Sequence, residues 1–301
     1  MSAGAAWPQG LRLTLGGDWV IFSKTETAFA ISKLEYIQNA PTGESFLIRQ
    51  QTLERSRATR RDVAKASFVG AVTDLIVADD ASPAPRPQAF LVEQSANWTL
   101  PTHFHQEHQF QVFVAGGGSI GKHPVERLAV HYASPHTGYG PLVSGDGGIS
   151  YFTLRAVGDT GAWYLPEQRE NLLLRIRKQQ AHAVPDSYVS ADQLRALPRP
   201  VQETLIEPQE GGLAAWLVRL PARSGAPAPA RAESGGGRFY VVTQGSLLNA
   251  GEELAGLATV FVSSDEPFAL QAGGDGAEVL VLQFPAVAAS SFIEAMPTAA
   301  T

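Results

Sequence analysis

The chain has 301 residues, 44% hydrophobic and 17% charged, with a net charge of −6; this suits two globular domains, and the lack of a dense Lys/Arg block excludes a footprint for nucleic acid. It contains no cysteine, which excludes disulfides and thiolate-bound zinc and leaves imidazole, carboxylate, amide oxygen or water for any metal. No apolar run approaches the ~20 residues that span a bilayer, and residues 1–10 (MSAGAAWPQG) lack the basic and apolar regions of a leader, so a cytoplasmic protein without a membrane partner is expected.

Residues 11–48 are weakly patterned and could supply strands that extend a sheet, while residues 52–65 are polar and basic. We read residues 1–75 as an N-terminal extension that adds strands. A Pro-rich stretch at 81–87 (ASPAPRP) precedes a series of short β-branched and aromatic segments bounded by Gly, Pro or Ser: 89–92, 110–114, 128–132 and 149–154. Residues 168–180 (QRENLLLRIRKQQ) have helix-compatible spacing, although the Leu run also suits a strand. Residues 191–196 form a candidate helix behind Ser190, a possible N-cap, and stop before Pro198. Strand-like segments return at 239–242, 258–262 and 278–282, after a Pro/Gly-rich stretch at 222–238 that reads as a flexible loop; residues 286–296 suit a short helix. The pattern predicts an all-β chain: an N-terminal barrel at 76–165, a connecting segment with a helix at 166–200 and a second barrel at 201–301.

Setting Gly116 over Gly245 exposes an internal repeat, with Gln109–Gly116 (QFQVFVAG) above Arg238–Gly245 (RFYVVTQG) and the same order of turns and strands after each. Within the first copy, residues 102–116 (THFHQEHQFQVFVAG) resemble the first motif of the cupin superfamily: His103 and His105 match its His-x-His pair and Gly116 its Gly, while Gln109 stands where Glu is usual. Residues 130–141 (VHYASPHTGYGP) match the second motif loosely, and superposition puts its usual His near Gly138 or Tyr139. The resemblance implies a bicupin, two tandem jelly-roll β-barrels, and suggests a homodimer. It also makes a metal-dependent dioxygenase-like oxidoreductase, acting on a small organic molecule, the leading function.

Alternate residues of a strand share a face, so His103, His105, Glu107, Gln109, Gln111 and Phe113 are expected to project together. Two imidazoles at i and i+2 suit Fe, Mn, Ni or Zn, and with Gln109 and a third ligand they would form a divalent-metal site. Glu107, His131 and His136 are the alternatives for that ligand; His136 is preferred because the second-motif ligand follows the strand. Their bland role is hydrogen bonding in a barrel mouth. His108 has the opposite parity, His123 sits in an exposed turn, and His182 lies in the connecting segment. Phe113, Tyr139 and Tyr151 are candidate pocket residues, although such residues fill any barrel core. Arg155 could hold a substrate carboxylate or serve a salt bridge. In the second copy Ala232, Ser234 and Arg238 fall on the metal positions and no histidine follows His182, so that barrel is expected to be structural. Alternatives to an enzyme are a non-catalytic small-molecule binding or sensing protein, or a structural bicupin without metal.

Overall fold

The computed structural model describes residues 12–15, 18–21, 36–39, 45–78, 86–159, 161–174, 176–231, 235–264 and 266–286. The expected helix at 286–296 lies outside them except for its first residue. Two nine-stranded antiparallel sheets, each curled into a barrel of the jelly-roll kind, account for nearly all the structure. In the first, strands run in the order Gln180–Ala183, Val130–Ala133, Gln109–Ile120, Leu142–Arg155, Gln88–Gln94, Phe68–Ile76 and Arg61–Lys65. In the second the order is Val201–Ile206, Ala214–Leu220, Ala269–Gln283, Arg238–Asn249, Thr259–Val262, Ser45–Gln51 and Tyr36–Asn39. Each barrel thus takes a strand from a distant stretch of chain: Ser45–Gln51 pairs with Thr259–Val262, and Gln180–Ala183 pairs with Val130–Ala133.

The two-residue period of the strands decides what lies inside. Along Gln109–Ile120, Phe110 and Val112 face outward and meet Phe239, Val241, Phe261, Leu280 and Leu282 of the second sheet in one buried cluster, with Phe110 and Phe284 5.0 Å apart edge to face. The barrels are therefore packed wall to wall through a shared apolar layer. Inside the second barrel, Trp216, Val218, Tyr240, Val242, Val260, Val262 and Val281 form a continuous apolar filling. The first barrel has an apolar floor of Leu100, Phe113, Ile120, Leu142, Tyr139 and Tyr151, and polar residues above it.

Both copies of the repeat turn at their glycines for the same reason. Gly116 and Gly245 have φ of +73° and +70°, and a Cβ there would lie 2.0 Å from the carbonyl oxygens of Gly148 and Gly276 respectively. Only glycine meets both conditions.

The segment at 168–180 is not a helix. Among its described residues only a 3-10 turn at Arg169–Asn171 forms, and at Gln180 the chain enters the strand Gln180–Ala183, which pairs with Val130–Ala133. The only α-helix among the described residues is Ala191–Arg195, where Ser190 accepts from the Gln193 N–H and the Gln193 side chain accepts from the Ser190 N–H in a capping box. In the stretch read as a loop at 222–238, Gly225–Pro227 pairs with Ala269–Gln271 as a short strand. Among the described residues no helix is long and apolar enough to cross a membrane.

Candidate ligand site in the first barrel

A cavity of about 310 Å³ opens above the floor of the first barrel. The inward residues of Gln109–Ile120 and Leu142–Arg155 form its polar wall, Gln109 and Gln111 on one strand and Thr153 and Arg155 on the next; Phe90 and Val92 continue it on the neighbouring strand, and Phe68 and Leu100 complete the lining. His103 and His105 enter from a short strand, His103–Phe104, held by reciprocal backbone hydrogen bonds between His103 and Tyr139.

A directional chain of hydrogen bonds crosses the site. Arg155 donates from Nε and Nη2 to Oε1 of Gln109, at 3.0 and 2.5 Å. That contact orients the amide, whose Nε2 donates to the Tyr139 hydroxyl at 2.6 Å. His103 Nδ1 lies 2.8 Å from the Pro101 carbonyl, which only accepts, so Nδ1 carries the proton and the bare Nε2 receives the Tyr139 O–H at 3.0 Å. Burial, with His105 and Arg155 nearby, pushes the His103 pKa down to about 3, so this ring is neutral.

His105 has a different partner. Its Nδ1 is 2.5 Å from Oδ2 of Asp159 and 3.1 Å from Nη2 of Arg155. One nitrogen cannot serve both, and the shorter contact to a carboxylate makes Nδ1 the donor, with Arg155 lying alongside. Burial lowers the His105 pKa while Asp159 raises it in opposition. Arg155, 3.8 Å from Asp159, is 3% exposed, and burial lowers its pKa.

These contacts test whether the residues suit a divalent metal ion, and they do not. The lone pair of His103 is taken by Tyr139, which stands where the second motif would place its histidine. The one oxygen of Gln109 is turned to a guanidinium, so the site already contains a buried cation. Among the described residues, no three His, Asp or Glu side chains surround a point suited to a metal.

Of the expected site residues, His103, His105, Gln109, Tyr139 and Tyr151 line the cavity, and Phe113 packs 5.3 Å from Tyr151 in the floor. His136 does not join them. Its φ of +54° turns the chain, and its ring packs on Phe104 with Nδ1 accepting the Leu173 N–H. Glu107 loses the expected parity because the strand is interrupted between Phe104 and Gln109; burial, then Asp159, pushes its carboxyl up to about 7. His108 lies outside the barrel, its Nδ1 2.6 Å from the Tyr132 hydroxyl. His131 does face inward, across from Gln111, with its pKa pushed down to about 3 by burial. His123 is half-buried, not exposed, and stacks on His182. Sequence reasoning missed Asp159 and Gln88. Asp159 lies in a loop with no motif around it, and Gln88, an acceptor for Arg155 Nη1, is an unremarkable strand residue in sequence.

Two cupin-type barrels packed wall to wall in one chain define a bicupin fold. Solved structures with this fold align along most of the chain. A candidate dioxygenase from Nostoc punctiforme is 10% identical, with 80% of this chain and 83% of that chain covered and a TM-score of 0.51. The 11S allergen of Cocos nucifera is 11% identical, covering 79% and 89% with a TM-score of 0.52, and the pro-11S globulin of pumpkin is 10% identical, covering 80% and 86% at 0.51. Such identities establish the shared fold and leave chemistry to the site itself. No protein-family model matches the sequence, and no curated protein matches it.

Proposed function

We propose that the first barrel is a binding chamber for a small organic acid and works without a metal ion. The observation that carries this reading is the Arg155 fork on Gln109, which puts a guanidinium where the superfamily's metal site would be. Gln88 and Gln109 occupy three of the Arg155 N–H groups, and Asp159 stands 3.8 Å from Nη2 as counter-ion; the N–H groups left on Nη1 and Nη2 are the donors for a ligand carboxylate, which competes with Asp159 for them. Phe68, Phe90, Val92 and Leu100 supply an apolar wall for the body of the ligand. The second barrel is filled with apolar side chains among the described residues and serves as the packing partner of the first.

The test is thermal unfolding of tag-free protein with benzoate and lactate as probes, and separately with Fe(II), Mn(II), Ni(II) and Zn(II). An acid-dependent rise in Tm, lost in Arg155→Lys because a lysine keeps the charge and loses the fork, is the expected result. One observation favours the oxygenase reading, the T-shaped approach of His103 and His105 with ring centroids 5.3 Å apart. A metal-dependent rise that His103→Ala with His105→Ala removes, together with no response to acids, would establish a metal-dependent oxidoreductase of the kind the motif suggests.

A further inference from the structure

The inner face of the first barrel carries a polar rung that the second barrel lacks. Phe90, Thr153, Gln111, His131 and His182 stand side by side on five adjacent strands. At the corresponding rung the second barrel places Trp216, Val281, Tyr240, Val260 and Gln50. The fold itself is satisfied by valine where His131 stands, so the histidine is not a requirement of barrel packing.

Three imidazoles gather at the end of this rung. His131 and His182 are 5.8 Å apart between ring centroids, and His182 and His123 are 4.8 Å apart. His131 is 2% exposed, yet neither of its ring nitrogens has a hydrogen-bond partner. His182 places Nε2 3.1 Å from the Pro124 carbonyl, which makes Nε2 the protonated nitrogen and leaves Nδ1 as a bare lone pair, buried and without a donor. A donated N–H on a carbonyl is the usual support of a metal-bound histidine. The second barrel resolves the same corner with a direct hydrogen bond from Gln50 Nε2 to Glu252 at 2.9 Å, Gln50 and Glu252 being the counterparts of His182 and His123. The first barrel has three imidazoles there and unpaired nitrogens.

We propose that His123, His131 and His182 form a binding site for a borderline divalent cation, of which Zn(II) is the best match, separate from the His103 and His105 chamber. Three imidazoles suit Zn(II), Ni(II) or Cu(II) and not Mg(II) or Ca(II), which require oxygen ligands. Zinc–nitrogen bonds of about 2 Å in a tetrahedral site place ring centroids roughly 5 Å apart, between the two spacings observed. The nitrogens do not converge while His123 lies stacked on His182 at 25°. As they stand, the three rings do not surround a common point, so binding requires the half-buried His123 ring to turn about its side-chain bonds toward His131 and His182, which already stand on paired strands.

The deciding experiment is calorimetric titration of the tag-free full chain with Zn(II), repeated on His123→Gln, on His182→Gln and on His103→Ala with His105→Ala. His123 is half-buried on a short hairpin strand, so His123→Gln is chosen as the variant that keeps the fold, checked by an unchanged Tm without metal. One Zn(II) per chain is expected, with affinity weakened at least about tenfold in His123→Gln and His182→Gln and unchanged in the His103/His105 variant. No stoichiometric Zn(II), or an affinity that His123→Gln leaves intact, would overturn the proposal. Loss of binding in the His103/His105 variant alone would overturn it too, and would point instead to a metal in the ligand chamber.

Discussion

Arg155 grips Gln109 through a two-pronged hydrogen bond, and the second barrel contains the same grip with its ends exchanged. There Arg238, the counterpart of Gln109, donates from Nε and Nη2 to Oε1 of Gln283, the counterpart of Arg155, at 2.9 and 2.6 Å. Even the aromatic beneath is repeated: Arg155 lies 5.5 Å from the ring centroid of Phe90, and Arg238 5.2 Å from that of Trp216. A guanidinium–amide clasp at the mouth is thus a device of both barrels, with charge placed on opposite strands. Buried guanidinium groups need their N–H groups filled, and an amide oxygen does this without a second charge.

The exchange predicts strong coupling between the two positions. Gln109→Arg alone faces two buried guanidinium groups toward each other, and Arg155→Gln alone removes the donor, so each single change should destabilise by about 2–4 kcal/mol. The double variant rebuilds the second barrel's arrangement and should recover at least about 2 kcal/mol relative to the sum. Denaturant unfolding of the four proteins measures this; additive losses would show that the clasp has no energetic identity.

Gln109→Glu, which the motif alone would expect to complete a metal site, should not do so. Its carboxylate lies under the Arg155 fork and pairs with it, and the donor to Tyr139 is lost. Any change in Tm caused by this substitution should be the same with and without added Fe(II) or Mn(II). A metal-dependent rise specific to this variant would mean that Arg155 swings away.

The buried histidines set a pH dependence. His103 and His131 are held down to about 3 by burial, against 6.5 for a free ring. Between those values the unfolded chain binds the extra protons, so stability is complete above about pH 6.5 and falls as the pH drops, by up to about 1.4 kcal/mol per unit for each ring. Glu107, pushed up to about 7 from 4.5, works in the opposite direction: the folded chain takes up its proton first, which offsets part of the fall between about pH 6.5 and 4.5 and none of it below. His131→Val, copying Val260 of the second barrel, should flatten the fall, as melting curves from pH 7.5 to 4.5 would show; an unchanged slope would contradict the buried neutral ring.

The junction between barrels should be essential to both. Phe239 is fully buried in the shared layer, and truncation to alanine should cost about 3–5 kcal/mol. Glu278, also fully buried, accepts from Arg219 at 2.9 Å and from Arg127 of the first barrel at 2.5 Å. Glu278→Ala removes the carboxylate that Arg219 and Arg127 share and leaves the buried Arg219 with the Glu203 carboxylate alone, at 3.6 Å, so it should cost about 2–4 kcal/mol. Single cooperative unfolding, shifted as a whole by either change, is the expected calorimetric result; two separate transitions would show that the barrels are independent.

The sequence by itself determined the barrels. Short β-branched runs and the glycine repeat at Gly116 and Gly245 are local signals, because alternation and positive φ are properties of a few consecutive residues. His103, His105, Gln109, Tyr139 and Tyr151 were legible as cavity residues for the same reason: strand parity and motif spacing carry them. Tertiary structure alone decided what these residues do. Asp159 reaches His105 across 54 positions of chain and Arg155 reaches Gln109 across 46, and no local pattern encodes which side chain fills a lone pair from another strand. The same limit hid the corner of His123, His131 and His182, which only edge pairing of Gln180–Ala183 brings together, and it sent His136 outward through a turn whose backbone the motif did not reveal.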